Sequence, residues 1–127
     1  MIVDTSALLA VLLQEDDALD FAAAMETTNA LRISAASLVE AFAVVDRRSL
    51  GRLLDAMIQE NGFRIEPVTD RQARISADAL RRFGRGTGHP ARLNIGDSFP
   101  YALAADMNEP LLFKGDDFSR TDVRSAL

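Results

Sequence analysis

Short apolar runs alternate with stretches of helical spacing from one end of the chain to the other. Ile2-Val3 is an apolar pair that gives way at once to Asp4, and Thr5 to Leu13 then reads as a helix. The polar break Gln14-Glu15-Asp16-Asp17 separates it from a second helix that runs to about Thr27. Leu31 to Ser34 gives a second strand signal, and Ala35 to Asp46 carries Leu38, Val39, Phe42 and Val45 at helical spacing. Leu50 to Glu60 is an amphipathic helix that Asn61-Gly62 should close. Phe63 to Val68 reads as a third strand, and Thr69-Asp70 caps a long helix to Phe83. Gly84 to Pro90 is the one loop-like segment. The next helix spans Asn94 to Met107; Pro100 is expected in or near its first turn, because a proline deeper in a helix removes a backbone donor. Leu111 to Phe113 is a fourth strand, followed by a short acidic turn.

This alternation predicts an α/β fold: a central parallel sheet of four or five short strands, flanked by helices on both faces and joined by right-handed crossovers. No internal repeat, low-complexity tract or linker interrupts it, so residues 1–127 read as one domain. The longest apolar run, Ala7 to Leu13, falls far short of the roughly 20 residues of a membrane helix. The first residues lack a basic n-region, which argues against a signal peptide. A cytoplasmic location is the simplest expectation.

Composition narrows the chemistry. With no cysteine there is no disulfide framework, thiolate metal site or cysteine nucleophile. With one histidine, no multi-histidine site can be built, and a Ser-His-Asp triad would rest wholly on His89. Carboxylates are left as the only abundant catalytic material, and oxygen-only ligation favours hard ions such as Mg²⁺ and Mn²⁺. A net charge of −5 argues against broad, non-specific nucleic-acid binding but leaves room for a local basic stripe. Lys114 is the only lysine; every other basic residue is arginine.

The acids matter by position. Asp4 follows the first strand directly, Glu40 lies one or two turns into the helix after the second, and Asp116-Asp117 follow the fourth. Asp97 opens the helix that leads into the fourth strand. In an open parallel sheet, ligands gather beyond the carboxyl ends of the strands, where all of these acids can converge. Each also has a plainer explanation. Asp4 can cap the first helix, Ser37-x-x-Glu40 matches a capping box, Asp97 suits a helix N-terminus, and Asp116-Asp117 can be a solvated turn.

Four segments resemble the motifs of PIN-domain proteins, in order and over essentially the full chain. Met1-Ile-Val-Asp-Thr-Ser-Ala-Leu-Leu-Ala resembles their opening, and Ser34-Ala-Ala-Ser-Leu-Val-Glu-Ala their second motif. Leu93-Asn-Ile-Gly-Asp-Ser-Phe-Pro-Tyr-Ala-Leu-Ala is similar to the third, in the form of VapC toxins, and Leu111-Leu-Phe-Lys-Gly-Asp-Asp-Phe to the fourth. The resemblance implies a PIN-like domain and a metal-dependent endoribonuclease, the toxin of a VapBC-type toxin–antitoxin system. Asp4, Glu40 and Asp97 match the family's acidic positions; Asp117 matches the fourth, with Asp116 as the alternative. Many relatives place a hydroxyl residue shortly before that acid, where this chain has Phe113-Lys114-Gly115.

The implied chemistry is hydrolysis of a phosphodiester, with Asp4 and Asp97 as principal ligands of Mg²⁺ (or Mn²⁺). Glu40 and Asp117 complete the shell directly or through waters, and one of them orients or deprotonates the attacking water. Thr5 and Ser6 are candidates for contacting ligand or phosphate, or for capping the first helix. Arg71, Arg74, Arg81 and Arg82 fall on one helix face, opposite Ala73, Ala77, Leu80 and Phe83, and Arg85, His89 and Arg92 continue the basic character through the glycine-containing loop. It reads either as an RNA-backbone track or as an ordinary solvated face. The family implies a homodimer and a VapB antitoxin that wraps the toxin and obstructs its site, with transfer RNA as a family-level substrate. A catalytically inactive PIN-like binding module is the alternative. A phosphatase with Asp4 as nucleophile would usually carry a second acid two residues on, where Ser6 stands.

Overall fold

The computed structural model describes residues 1–127. The chain builds strands β1 (Ile2–Val3), β2 (Arg32–Ser34), β3 (Arg64–Glu66) and β4 (Leu111–Leu112). Its helices are α1 (Thr5–Leu12), α2 (Ala18–Glu26), α3 (Ala35–Val45), α4 (Gly51–Glu60), α5 (Asp70–Phe83) and α6 (Ile95–Met107). The sheet has four strands in the order β3-β2-β1-β4, all parallel. No helix is long and apolar enough to cross a membrane.

Pleating explains how two-residue strands hold two layers together. Successive side chains of a strand point to opposite faces. Val3 and Leu112 enter the cluster formed with α1 to α4, around Leu8, Phe21, Val45 and Leu54. Ile2 and Leu111 enter the other, with Phe83, Leu93, Tyr101 and Leu103. All four strand residues are fully buried, as expected for parallel strands covered on both faces. α1 is buried nearly all round, which is why it reads as uniformly apolar.

The helix starts are set by side-chain caps. Asp4 accepts from the Ser6 N–H at 2.9 Å, Ser34 from Ala36 at 3.3 Å and Thr69 from Gln72 at 3.1 Å. Gly62, at φ 64°, closes α4, a left-handed conformation that glycine adopts without steric cost.

Three expectations are corrected. Pro100 is the sixth residue of α6, a turn deeper than expected. It lacks the N–H that would bond the Gly96 carbonyl, so the helix tolerates one missing rung there. The inward stripe of α5 is Gln72, Ser76, Ala79 and Phe83, while Ala73 and Ala77 face out. The buried polar groups are satisfied across the α5–α6 contact: Ser76 Oγ donates to the Ser98 carbonyl at 3.0 Å, and Gln72 Nε2 to Asp106 at 3.3 Å. The cap of α3 is Ser34, not Ser37, which puts Ser37 inside the helix with a buried hydroxyl that has no partner. Glu40 is thereby released from any capping box.

Candidate active site

The site grows from the carboxyl end of β1. The Asp4 N–H still belongs to the sheet, donating to the Leu112 carbonyl at 2.9 Å, while its side chain already caps α1. Asp4 Oδ2 also accepts from Ser6 Oγ at 2.5 Å, and that hydroxyl accepts from the Lys114 N–H at 3.0 Å. The first acid is therefore held by Ser6, and Ser6 by the segment after β4. Thr5 is buried and donates Oγ1 to the Ser37 carbonyl at 3.1 Å, joining α1 to α3. Its hydroxyl is thus committed to packing.

Asp97 sits in the first turn of α6, fixed by a reciprocal capping box. Asn94 Oδ1 accepts from the Asp97 N–H at 2.9 Å, and Asp97 Oδ2 accepts from the Asn94 N–H at 2.8 Å. One carboxylate oxygen remains without a protein partner. Glu40, from the second turn of α3, lies over the same helix end: a Cβ on Gly96 would collide with Glu40 Oε2. A side chain in that position would require the Glu40 carboxylate to move. The spacing Asn94-x-x-Asp97 could have shown this box, but nothing in the sequence marks Gly96 as the seat of Glu40.

The carboxylates feel one another. Burial raises the Asp4 carboxyl above the usual carboxylate range, against the hydrogen bonds from Ser6 and Thr5. Burial also raises Glu40, reinforced by the negative charges of Asp4 and Asp97. Asp97 is raised by burial despite its bond from Asn94; the charges of Asp4 and Asp117 push it further, and Arg85 opposes them. Of the adjacent pair after β4, Asp117 is the one whose charge reaches Asp97. Both are exposed, and the Asp116 carbonyl accepts from Ser119 Oγ at 2.6 Å.

The predicted arginine track divides in two. Arg71 pairs with Asp106 at 2.6 Å and Arg74 with Asp70 at 2.9 Å. Asp106 lies nine residues beyond Asp97 on α6, about 13 Å along the axis. That end of the track is therefore remote from the acids. Arg81 reaches Asp78 at 4.0 Å, and Arg82 bonds Asp122 at 2.7 Å while stacking on Phe83 at 4.5 Å. Arg85 and Arg92 are different: both are exposed and neither has a carboxylate partner. Arg85 Nε donates to the Arg92 carbonyl at 3.2 Å, which ties the two sides of the loop that leads into α6. His89 braces that loop, stacking edge-on to Phe83 and accepting from the Ala91 N–H at 3.1 Å.

A family model described as the PIN domain matches residues 1–124. Ribonuclease VapC28 of Mycobacterium tuberculosis is 52% identical over 130 residues, covering 100% of this chain and 98% of that protein. Ribonuclease VapC42 of the same organism is 47% identical, covering 99% and 98%. This chain belongs to the PIN-domain family, among the VapC ribonucleases. Its fold is shared with a crystal structure of M. tuberculosis VapC20, a toxin that cleaves the sarcin–ricin loop, at TM-score 0.76 and 19% identity over 96% of this chain and 95% of that one. A toxin–antitoxin complex from Klebsiella pneumoniae superposes at TM-score 0.72 and 18% identity, over 93% and 89%.

Whether this VapC chain's acids suit a divalent ion is a question of donor chemistry. All are hard oxygen donors, and none of Asp4, Glu40, Asp97, Asp116 or Asp117 is in an ion pair; unlike the unpaired surface acids elsewhere, Asp4 is buried. Like charges gathered without a counter-charge are costly. No three of them approach closely enough to ligate one ion as they stand. The set fits a Mg²⁺-type ion, whose charge offsets that repulsion.

Proposed function

We propose that this chain is the toxin of a toxin–antitoxin pair, an endoribonuclease that hydrolyses RNA phosphodiester bonds in the cytoplasm with Mg²⁺, for which Mn²⁺ can substitute. The observation that carries this reading is the group of carboxylates without ion-pair partners at the carboxyl end of the sheet, where burial first, and for Glu40 and Asp97 neighbouring carboxylates as well, holds Asp4, Glu40 and Asp97 above the usual range. Asp4 and Asp97 are the principal ligands, with Glu40 and Asp117 completing the shell directly or through water. Asp117 is preferred to Asp116 because its charge acts on Asp97. When bound, the ion lowers the pKa of water and stabilises charge on the phosphate and leaving oxygen.

The chain's own residues supply the rest. Ser6 and Asn94 fix the orientation of Asp4 and Asp97. Glu40 has no hydrogen-bond partner, leaving it free to accept the proton of the attacking water. Arg85 and Arg92 hold the RNA backbone beside the acids, in preference to Arg71, Arg74, Arg81 and Arg82, which are paired with carboxylates. An inactive binding module would have no use for all four acids, so that alternative is not favoured.

Two surfaces suit the partners. A groove of about 360 Å³ between α1, α2 and α4 is lined by Val11, Leu12, Ala22, Met25, Leu53 and Met57, and takes an apolar helix of the antitoxin. Val39 on α3 and Ile65 and Val68 at edge strand β3 are exposed by 69%, 48% and 39%, and a second copy covers them in a homodimer. The cleavage test is direct. Purified chain should cut RNA in Mg²⁺, stop in chelator and resume when Mg²⁺ or Mn²⁺ is restored, whereas Asp97→Asn stays folded and silent throughout. Full activity in chelator, or in the folded variant, would overturn the reading.

A further inference from the structure

Lys114 stands between β4 and the fourth acid, where its side chain and its backbone reach different ends of α1. Nζ lies between two carboxylates of the α1–α2 turn, donating to Glu15 at 2.5 Å and Asp17 at 2.9 Å. Its backbone N–H donates to Ser6 Oγ at 3.0 Å, the hydroxyl that holds Asp4. The segment it belongs to has few other ties. Gly115 turns the chain at φ 96°, and Asp116 and Asp117 are exposed. The next anchor is Phe118, which is buried and packs on Phe113 at a ring separation of 5.2 Å.

We propose that Lys114 is a positioning residue for Asp117, a strap from the α1–α2 turn that holds the fourth acid in place relative to Asp4 and Asp97. The inference rests on reading those acids as the metal site, and it adds a residue that takes no part in ligation. A direct phosphate contact is the rival role for a lone lysine beside a nuclease site. It suits this ammonium poorly, because two carboxylates already occupy it and the trio is net negative. An incoming phosphate meets repulsion there.

The two explanations, and simple electrostatics, differ in sign. Removing a positive charge near a cation site should tighten cation binding, whereas cutting a strap should weaken it. Mn²⁺ binding to the full-length chain, measured by isothermal titration calorimetry, separates them. Lys114→Met is expected to weaken Mn²⁺ about two- to fivefold, the scale of a lost, partly exposed ion-pair network. Lys114→Arg, which can still reach both acids, should stay within about twofold of wild type. RNA cleavage at saturating Mn²⁺ should be nearly unchanged in both. If Lys114→Met binds Mn²⁺ as tightly as wild type or more tightly, the strap is wrong. It is equally wrong if that variant keeps its Mn²⁺ affinity but loses RNA binding. Should Lys114→Met fail to fold, Glu15→Gln with Asp17→Asn cuts the same strap from the other side; weakened Mn²⁺ binding supports it and unchanged binding overturns it. Asp97→Asn in the same titration separates the two levels: Mn²⁺ binding undiminished there sinks the metal-site reading itself.

Discussion

Asp4 serves two ends that pull against each other. As the cap of α1 it needs only an acceptor oxygen, yet it presents a buried carboxylate among other carboxylates. Asp4, Glu40 and Asp97 all hold protons more tightly in the folded chain than in an unfolded one. The folded state therefore binds more protons between the two values, and stability falls as pH rises. What these groups contribute is fully present below their unfolded pKa and is lost as pH climbs through the raised folded values. Glu109 and Asp122 work the other way: burial is outweighed by their hydrogen-bonded cations and Tyr101, and they stay below the usual range. The informative quantity is consequently the difference between wild type and variant. Asp4→Asn keeps the capping oxygen and removes the charge. Without metal, it should raise stability to urea at neutral pH by about 0.5–2 kcal/mol, and the gain should shrink as the buffer is acidified. A variant less stable than wild type at neutral pH would mean that the negative charge itself stabilises the fold, and would contradict this account.

At the scale of elements, the first turn of α6 does the most for the site. Its capping box orients Asp97, and the bare backbone at Gly96 makes room for Glu40. This gives opposed effects for one substitution. Gly96→Ala should leave the fold as stable as wild type or improve it by up to about 1 kcal/mol, since alanine is the better helix former. Cleavage should nevertheless fall at least tenfold as the new methyl displaces the Glu40 carboxylate, in line with the sensitivity of metal sites to their supporting groups. Full activity in Gly96→Ala would place Glu40 outside the chemistry.

The same elements show what could be read from sequence. Period changes located every helix and strand, because the buried runs are short and bounded by polar residues or glycine. Asp4, Glu40 and Asp97 could be picked out because each stands just beyond an apolar run. The cap of α3 could not, because Ser34 and Ser37 are equally good capping residues and only backbone geometry chooses between them. Nor could the inward face of α5, whose Gln72 and Ser76 are satisfied by partners on α6. The choice between Asp116 and Asp117 depends on where Gly115 and buried Phe118 turn the chain, which is tertiary information.

Over the whole molecule, the charges nearest the site differ from those of the α5 face. Along α5, Arg71, Arg74, Arg81 and Arg82 each have an acid partner, and Arg32 joins Glu66 and Glu109 at 2.6 and 3.0 Å. At the carboxyl end of the sheet the acids are left free, and Arg85 and Arg92 stand nearby without partners. The proposed RNA contact can therefore be tested residue by residue. Arg85→Ala and Arg92→Ala should each weaken RNA binding and reduce the slope of log affinity against log salt by about one. Arg71→Ala and Arg74→Ala should change neither, and filter binding over a salt series would decide. The central claim, that the four acids make this chain a ribonuclease, is tested most directly in the cell. RNA ends should be sequenced after brief induction of the wild-type chain and, in parallel, of Asp97→Asn. New ends at a small set of discrete positions with the wild type, absent with the variant, are the predicted result; the same ends with both proteins, or none with either, would contradict it.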